Sequence, residues 1–571
     1  MKRLCAMLAT LLVLSVCRCV VPRVCSAWDK GESEIMELIQ AHEKGRLLIG
    51  GNRFSTRDSM IKALYLAKTG DMENAMKIIG EIAKTQYADR RSPHYGNFPT
   101  LAGDKPPLDY NWSAFIGSYL AYFYQEYYKQ LNDDARLRCK EIIRGAAIHR
   151  KKQAWNRPDT TNINILTAYF LLSAGKILED NALRREGERF WEHFYHQSYT
   201  EGIREFNGLN YLSVHLYGLG FLVKHEEGTR IGKEATRLRN LILWNVVFRY
   251  NADLRQLAGP YDRTKEDSRM GNTFMPIQEY LFEGSRGKFP RPSIREKFSP
   301  IQLFLITLTA PQFPEKWVSA VIKGENLNKH YRERVRGNDK RFEQTTTYMT
   351  KKVALGSVSH SNVPYFPRQQ SRPIIAHIAS ESTGLVAGEF RVLVQSKMQP
   401  GANVYVNSLQ HRTSVLTEVL AGSEAPFLEV ILEWQGGKIQ LGSCKGDSLS
   451  GSWEGLPFKI MVEPGADITR ACVPEGDIIR TIIRPRRSAD GSFRLGLGLW
   501  FGESLQAVGK LGAPKVAVRD GGFQLKWQSP DGLLQMTRKS GDIQSSSSQI
   551  DGKEVAAYPI GFRIGEFVDH D

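Results

Sequence analysis

The sequence predicts two structural parts, a ring of helical hairpins followed by an antiparallel β domain of sandwich type. The chain has 571 residues, more than one hydrophobic core normally serves, so at least two domains are expected. Apolar residues recur every three or four positions in the first half of the chain and every two positions in the second. With 42% hydrophobic and 24% charged residues, the composition is typical of a folded protein.

The first residues have the pattern of a secretory signal. Two basic residues precede an apolar run over 4–16 that is too short to span a bilayer, and small residues end the segment at Ala27. We predict a signal peptide over 1–27, a secreted or periplasmic location, and no membrane span after cleavage. A lipid anchor at Cys17 is disfavoured because Val16 stands where a small residue should precede the cysteine.

The chain is strongly basic, with a formal net charge of +16. Signal cleavage would lower this charge to +12 by removing four basic residues, Lys2, Arg3, Arg18 and Arg23. An exported basic protein suits an acidic polysaccharide, and the sequence has no nucleic-acid-binding motif. We therefore predict an acidic polysaccharide as partner and no nucleic acid. An even spread of Lys and Arg that only aids solubility is the alternative.

Three cysteines remain after cleavage, Cys139, Cys444 and Cys472. Their wide spacing fits neither a disulfide framework nor a zinc cluster, although Cys444 and Cys472 would be able to pair in an oxidising compartment. The sequence also has no dinucleotide-binding glycine motif, phosphate-binding loop, His-Glu-x-x-His motif or Gly-x-Ser-x-Gly elbow. We predict no cofactor and no catalytic metal.

Residues 28–340 are predicted to form the helical part. Helices without charge alternate along the chain with charge-rich helices. Because uncharged helices must be covered on most sides and charged ones must face water, this alternation predicts an inner ring wrapped by an outer ring. The predicted helices are Glu32–Lys44, Ser59–Lys68, Met72–Lys84, Asn111–Gln130, Asp133–His149, Thr161–Leu178, Ala182–Tyr195, Leu209–Lys224 and Ile231–Tyr250.

Residues 341–571 are predicted to form the β domain. Short apolar and alternating runs appear here, among them 352–355, 373–378, 390–394, 427–434 and 493–500. Gly-containing turn pairs separate such runs and predict hairpins; they are Asp490-Gly491, Asp520-Gly521, Asp531-Gly532 and Asp551-Gly552.

The stretch Glu205–Lys224 has no charged residue between its two ends. On a helix, leucines fall on one side, and the other side carries Asn207, Asn210, Tyr211, His215, Tyr217 and Gly218. A face that only meets water usually carries Lys and Glu. Amide, imidazole and phenol groups instead suit a sugar-binding cleft. A buried helix with internally satisfied polar atoms is the alternative.

Four short segments resemble the (α/α)-toroid polysaccharide lyases, which include alginate, chondroitin and heparinase II/III-like groups. They are Thr161–Asn164, Glu205–Tyr211, Gly259–Arg263 and Thr346–Met349. The helical part also resembles six-hairpin glycosidases. The lyase resemblance implies an (α/α) toroid followed by a β-sandwich. It also implies β-elimination from a uronate, carried by Asn, His, Tyr and Arg at the toroid mouth without an obligatory metal.

Five residues are candidates for this chemistry. Tyr211 and His215 lie one helical turn apart, so both side chains are able to reach one point. Tyr211 or Tyr261 is assigned as general acid or acid/base, and His215 as base or carboxylate neutraliser. Asn162 is assigned to hold the substrate carboxylate, and Arg263 to make a bidentate contact with it. Each assignment has an alternative. His215 would be a core histidine, and Tyr211 a packing aromatic. Asn162 would be a helix cap, and Arg263 would form a surface ion pair with Asp262.

Six residues are candidates for substrate binding, Asn164, Glu205, Asn207, Asn210, Arg269 and Trp112. The amides and the carboxylate share the two uncharged segments with the catalytic candidates. Trp112 is a possible stacking platform for a sugar ring, or a core residue. His360, in a polar loop of the β domain, is a weaker candidate whose alternative is a solvent loop.

Two other functions remain open from the sequence. A glycoside hydrolase would use Glu205 and Asp262 as paired carboxylates, which must lie roughly 5–9.5 Å apart. A non-catalytic glycan-binding protein of the cell envelope would keep the fold without activity. The secreted lyase is favoured because the chain is basic and the polar helix face is uncharged.

Overall fold

The computed structural model describes residues 54–156, 160–262, 264, 268–270, 276–290, 301–336, 342–359, 361–363, 372–395, 404–445, 447–469, 478–502, 511–519, 522–539 and 547–555. Several predictions lie outside these residues, namely the signal 1–27, the helix Glu32–Lys44, the turn Asp520-Gly521, and residues Arg263, His360 and Cys472. The pairing of Cys444 with Cys472 is therefore not described, and Cys139 is a free, buried cysteine.

The helical part contains antiparallel helices that pack as consecutive hairpins. They are α1 Thr56–Lys68, α2 Met72–Thr85, α3 Trp112–Tyr127, α4 Asp133–Gln153, α5 Thr161–Leu178, α6 Asn181–Glu201, α7 Leu209–His225, α8 Arg230–Phe248, α9 Pro276–Gly284, α10 Ile301–Thr307 and α11 Glu315–Ile322. None of the described helices is long and apolar enough to cross a membrane.

The inner helices close into a ring. In order, α1, α3, α5, α7, α9 and α10 each pack on the next, and α10 packs back on α1. Helices α2, α4, α6 and α8 lie outside them. Close approach within the ring is visible at Gly218 of α7, where an added Cβ would lie 2.7 Å from Cγ2 of Ile165 in α5. The predicted alternation of inner and outer helices is confirmed.

Three of the inner helices begin differently from the outer helices α2, α4, α6 and α8. The outer helices α2, α4, α6 and α8 start at side chains that accept a backbone N–H, from Asp71, Asn132, Asp180 and Thr229. The inner helix α1 also has a side-chain cap, because Ser55 accepts the N–H of Asp58. The inner helices α3, α5 and α7 start at Asn111, Thr160 and Gly208, which make no such side-chain bond. The starts of these three helices therefore leave N–H groups for other partners.

The second part is built of antiparallel strands. They are β3 His330–Arg336, β4 Phe342–Met349, β5 Val353–Ser359, β6 Ser361–Val363, β7 Ile374–Ala379, β8 Val386–Gln395, β9 Val404–His411, β10 Ser414–Ala421, β11 Glu429–Gln435, β12 Ile439–Lys445, β13 Ser448–Trp453, β14 Leu456–Val462, β15 Asp467–Thr469, β16 Ile478–Arg484, β17 Phe493–Phe501, β18 Lys515–Arg519, β19 Gly522–Ser529, β20 Gly532–Lys539, β21 Ser547–Ile550 and β22 Lys553–Glu554. A short hairpin of β1 Tyr250–Asn251 and β2 Gln256–Leu257 precedes them.

Two large sheets enclose the core of this part. One has the strand order β15-β16-β11-β8-β7-β5-β4-β3, and the other β12-β13-β14-β17-β10-β9-β6. Apolar side chains of both sheets, such as Trp434, Phe458 and Phe501, form one buried cluster between them. A third sheet, β18 to β22, adds its own buried cluster around Trp500 and Trp527. The predicted fold class, helices first and a β-sandwich second, is confirmed.

Two described hairpins lie at predicted turn pairs. Ser529 pairs with Gly532, so Pro530 and Asp531 connect β19 to β20, one residue before the predicted pair Asp531-Gly532. Asp551 and Gly552 connect β21 to β22, as predicted. At the second turn both central residues have positive φ, 50° and 80°, as a type I′ hairpin requires.

Polar side chains join the helical ring to the eight-stranded sheet. Arg249, just after α8, lies 3.1 Å from Glu333 of β3, and Asn245 donates to the same carboxylate at 3.0 Å. Phe206, Val335 and Val358 form a small apolar cluster at this seam. The sheet thus begins at His330, on the helical side of the domain boundary predicted at residue 340, and it packs on the segment just before α7.

Candidate active site

A cavity of about 280 Å³ lies among the inner helices at the end where they begin. Its lining residues come from every inner helix of the ring; they are Arg57, Phe115, Tyr119, Asn162, Asn210, Tyr211, Ser213, Val214, Tyr217, Pro276 and Leu305. Amides and phenols dominate this wall, and Arg57 is the one charged residue among the lining residues that the structure describes. The volume lies near the lower end of the range for small-molecule sites, about 300–1,000 Å³.

The segment before α7 has an unusual backbone next to this cavity. Glu205 and Asn207 both adopt positive φ, 61° and 50°, a region that non-glycine residues rarely occupy. Such conformations cost of order 1–3 kcal/mol each and persist only where surrounding contacts impose them. Here Asn207 donates from Nδ2 to the carbonyl oxygen of Pro260 at 3.1 Å, and the N–H of Asp262 donates to the carbonyl oxygen of Phe206.

The carboxylate of Glu205 is buried behind the cavity wall. Its Oε2 accepts the backbone N–H of Asn162 at 3.1 Å and lies 3.4 Å from Nε2 of His215. The backbone N–H of Glu205 donates to Oδ2 of Asp262 at 2.9 Å. The Glu205 and His215 side chains are 1% and 0% exposed. Glu205 therefore occupies the start of α5, where a helix favours negative charge.

Asn162 is placed to present its amide to the cavity. Its Oδ1 accepts the N–H of Ile163 at 2.8 Å, so part of the side chain serves the first turn of α5. Nδ2 of Asn162 has no hydrogen-bond partner among the described residues and remains a donor at the cavity wall. The contact of Asn162 with its own helix is thus present, and its role in holding a substrate carboxylate stays a prediction.

Tyr211 and Asn210 lie at the first turn of α7, and both are half-buried at the cavity. Deeper in the ring, the hydroxyl groups of Tyr119 and Tyr217 lie 2.7 Å apart. Burial raises the pKa of Tyr119 to about 12 and that of Tyr217 well above its usual value, so both stay protonated near neutral pH.

Other predicted site residues lie elsewhere. Tyr261 is fully buried at the seam with the β domain, where its hydroxyl donates to the carbonyl oxygen of Leu257. Buried Arg269 donates from Nη1 to the carbonyl oxygen of Ala387 at 2.9 Å. Asn164 is buried within α5 and does not line the cavity, and Trp112 lies behind Arg57.

The structure therefore brings together Asn162, Asn210 and Tyr211 at one wall, with Glu205, Asn207 and His215 directly behind it. Sequence reasoning missed Arg57 and Tyr119, and it named Tyr217 on the polar face without assigning it a role. Tyr217 lies on the same polar face as Tyr211, which was a usable signal. Arg57 is a single arginine at the start of an ordinary amphipathic helix, so the sequence around it carries no signal of a site.

Comparisons with known proteins found one family model and several solved structures. The family described as domain of unknown function DUF8769 matches residues 50–288, which include most of the ring. No curated protein sequence matches the chain. The chain is similar to a crystal structure of heparinase III, with 10% identity, 84% of this chain and 81% of that chain covered, and a TM-score of 0.44.

A second similar structure is a chondroitin AC lyase from Streptomyces coelicolor A3 in complex with chondroitin sulphate. Its identity is 9%, the coverage is 84% of this chain and 80% of that chain, and the TM-score is 0.46. At such identity and TM-score, the assignment of fold class rests on the helix and strand packing described above.

Proposed function

We propose that this protein is an exported lyase that cleaves an acidic, uronate-containing polysaccharide by β-elimination in the cavity of the helical ring. The observation that carries the proposal is the cavity wall, which combines amides, phenols and one guanidinium. No carboxylate occurs among its described lining residues. Elimination from a uronate needs neutral donors and a proton-transfer group, whereas hydrolysis needs two carboxyl groups at the bond.

The electrostatics of the cavity favour an anionic ligand. Arg57, Asn162, Asn210 and Pro276 are each the first or second residue of an inner helix. Several helix N-termini, each with a partial positive charge, therefore face the same space. The guanidinium of Arg57 adds positive charge, which Asp58 at 3.5 Å from its Nε offsets in part. A polysaccharide carboxylate would enter a region of positive potential that is partly shielded from water.

Asn162 is proposed to stabilise the charge that builds up on the substrate carboxylate. Its Nδ2 donor faces the cavity, while the contacts of its Oδ1 and its backbone N–H hold the residue in place. A fixed donor contributes more in the transition state than in the ground state, because the carboxylate gains charge as the neighbouring carbon loses its proton.

Tyr211 is proposed as the acid/base residue. In the reaction, Tyr211 acts as the phenolate: its oxygen takes the proton from C5 of the uronate, and the C5–H electrons form the C4–C5 double bond. The C4–O bond then breaks, and its electron pair leaves on the bridging oxygen, which takes the proton back from Tyr211. The products are an unsaturated uronate and a sugar with a free hydroxyl, and no water is consumed.

His215 is proposed as a positioning residue. The side chain is fully buried and faces Glu205, which in turn holds the backbone of Asn162. Glu205 and Asp262, the pair of the hydrolase alternative, are both buried and accept backbone N–H groups. This environment suits structural carboxylates better than a general acid and a nucleophile.

The decisive experiment incubates the purified protein with alginate, glucuronan and glycosaminoglycans and follows the ultraviolet absorbance of the unsaturated product. We expect absorbance to appear with at least one polymer and the Tyr211→Phe variant to lose about 10²–10⁴-fold in rate. Tyr199→Phe is the matched control, since Tyr199 lies on outer helix α6 and is 57% exposed.

Three results would contradict the proposal. Reducing ends that appear without absorbance would indicate the hydrolase. Glycan binding without turnover of any uronate polymer would indicate the non-catalytic protein. Equal rates for Tyr211→Phe and Tyr199→Phe would remove Tyr211 from the chemistry. Export is tested separately, by finding whether the mature chain begins after Ala27.

A further inference from the structure

Arg57 occupies a distinct corner of the cavity, together with Tyr119 and Tyr217. Asp58 approaches only one edge of the guanidinium, since its Oδ1 lies 3.5 Å from Nε. The two Nη nitrogens have no hydrogen-bond or ion-pair partner among the described residues. The edge of the guanidinium that forms bidentate contacts is thus available to a ligand.

Two aromatic rings hold the guanidinium in place. Its central carbon lies 5.6 Å from the ring centre of Trp112 and 5.8 Å from that of Phe115. The two rings meet each other edge to face at 5.3 Å and 90°. Such contacts orient a cation without neutralising it, so the charge of Arg57 is reduced only by Asp58 at its Nε edge, among the described residues.

The phenols beside Arg57 add fixed donors. Tyr119 and Tyr217 bond to each other through their hydroxyls at 2.7 Å, and one proton of the pair is left for a further acceptor. Burial raises the pKa of both phenols, so neither competes with a ligand for the positive charge near neutral pH. The corner therefore offers a guanidinium fork and a phenolic donor.

We propose that Arg57, Tyr119 and Tyr217 form an anion pocket that binds the carboxylate or sulfate of the sugar in the cavity and determines the preference for acidic over neutral sugars. The inference rests on the proposed function only in taking the ligand to be a sugar. Arg57 acts as the specificity-determining residue, and it is separate from the proton-transfer role assigned to Tyr211.

The test measures binding rather than turnover. Saturation-transfer NMR titrations are run with D-glucuronate, D-glucose 6-sulfate and D-glucose as probes. Wild-type protein is expected to bind an anionic sugar more tightly than glucose. Arg57→Gln should weaken the affinity for the anionic sugar about tenfold or more and leave the affinity for glucose unchanged. The carboxylate and sulfate probes distinguish the two sources of negative charge.

Lys77→Gln is the matched control, because it removes one positive charge from α2 at a side chain that is 64% exposed. This variant should bind all three probes as the wild type does. Tyr217→Phe keeps the ring and removes one donor, so it should weaken the anionic probe by a few-fold. Arg57→Lys keeps the positive charge but cannot form a bidentate contact, and it replaces Arg57→Gln in the test if that variant unfolds. We expect its loss of affinity for the anionic sugar to lie between those of the wild type and Arg57→Gln.

The pocket is overturned if wild-type protein does not prefer an anionic sugar, if it binds no probe, or if Arg57→Gln retains the preference. Failure of the lyase proposal is a different result. If no uronate polymer is ever cleaved but Arg57→Gln loses the preference, the anion pocket stands without the lyase. If the polymer is cleaved and the KM of Arg57→Gln equals that of the wild type, the lyase proposal is supported and the anion pocket is not.

Discussion

Two buried histidine–glutamate pairs lie in different parts of the molecule. In the helical ring, His215 faces Glu205 at 3.4 Å, and in the sheet, His377 faces Glu389 at 3.7 Å. All four side chains are at most 1% exposed. Residue type, spacing and burial therefore do not distinguish the pairs.

The surroundings of the two pairs differ. Glu389 accepts the N–H of Ser268 at 2.9 Å and lies 3.1 Å from Arg391, which also contacts Glu433. Although burial alone would raise the pKa of Glu389, hydrogen bonding to His377 and the charge of Arg391 lower it to about 2. This second pair is sealed within a network of opposite charges.

The ring pair has a neighbour on the cavity instead. Glu205 accepts the backbone N–H of Asn162, whose side chain lines the cavity. Because the His215–Glu205 pair is buried, it affects a ligand in the cavity only by holding Asn162 in position. The following predictions test the proposed positioning role of the ring pair against a purely structural role of the sheet pair.

The largest expected effect is on stability in the sheet. Arg391→Met leaves the carboxylates of Glu389 and Glu433 without their shared cation in a buried site. Removing one partner of a buried ion pair costs about 3–5 kcal/mol. Chemical denaturation should show this loss for Arg391→Met, while Arg484→Met, at a half-exposed pair with Glu429, should change stability by less than about 1 kcal/mol. Equal losses would contradict the structural role.

The next effect is on activity in the ring. Asn162→Ala removes the donor proposed for the substrate carboxylate, and the loss of one such donor lowers the rate about 10²–10³-fold. Asn164→Ala is the control, because Asn164 is buried in the same helix without lining the cavity. Initial rates are compared after each variant is shown to be folded by its circular dichroism. A larger rate loss in Asn164→Ala would argue against the assignment.

A direct comparison of the pairs uses the same change in both. His215→Asn and His377→Asn each leave a buried carboxylate with one partner fewer, at about 1–3 kcal/mol of stability. We expect only His215→Asn to lower kcat beyond what the loss of folded protein explains, by about tenfold. Similar kcat values per folded molecule would show that the ring pair is structural too.

The last effect is on acid stability. The pKa of Glu389 is lowered from 4.5 to about 2, so the unfolded chain binds this proton more tightly than the folded one. The stabilisation is present above pH 4.5 and is lost as the pH falls towards 2. Acid titrations of wild type and Glu389→Gln, followed by circular dichroism, should show a shallower loss for the variant in this window. Parallel curves would contradict the depressed pKa.

The sequence by itself determined the order of the two parts and the alternation of inner and outer helices. These follow from the period of apolar residues and from charge, which depend on near neighbours in the chain. It also placed Asn210 and Tyr211 on one polar face of α7, since helical geometry sets that face. Asn162 was found by its position at the start of an uncharged helix.

Tertiary structure alone decided which polar groups meet a cavity. Tyr261 follows a Gly-Pro turn that reads as a mouth loop, yet the β domain packs over it and buries it. His215 shares the face of Tyr211 but turns to Glu205, and Arg57 reaches the cavity from the first helix of the ring. The physical reason is that burial depends on elements far apart in sequence, which no local pattern records.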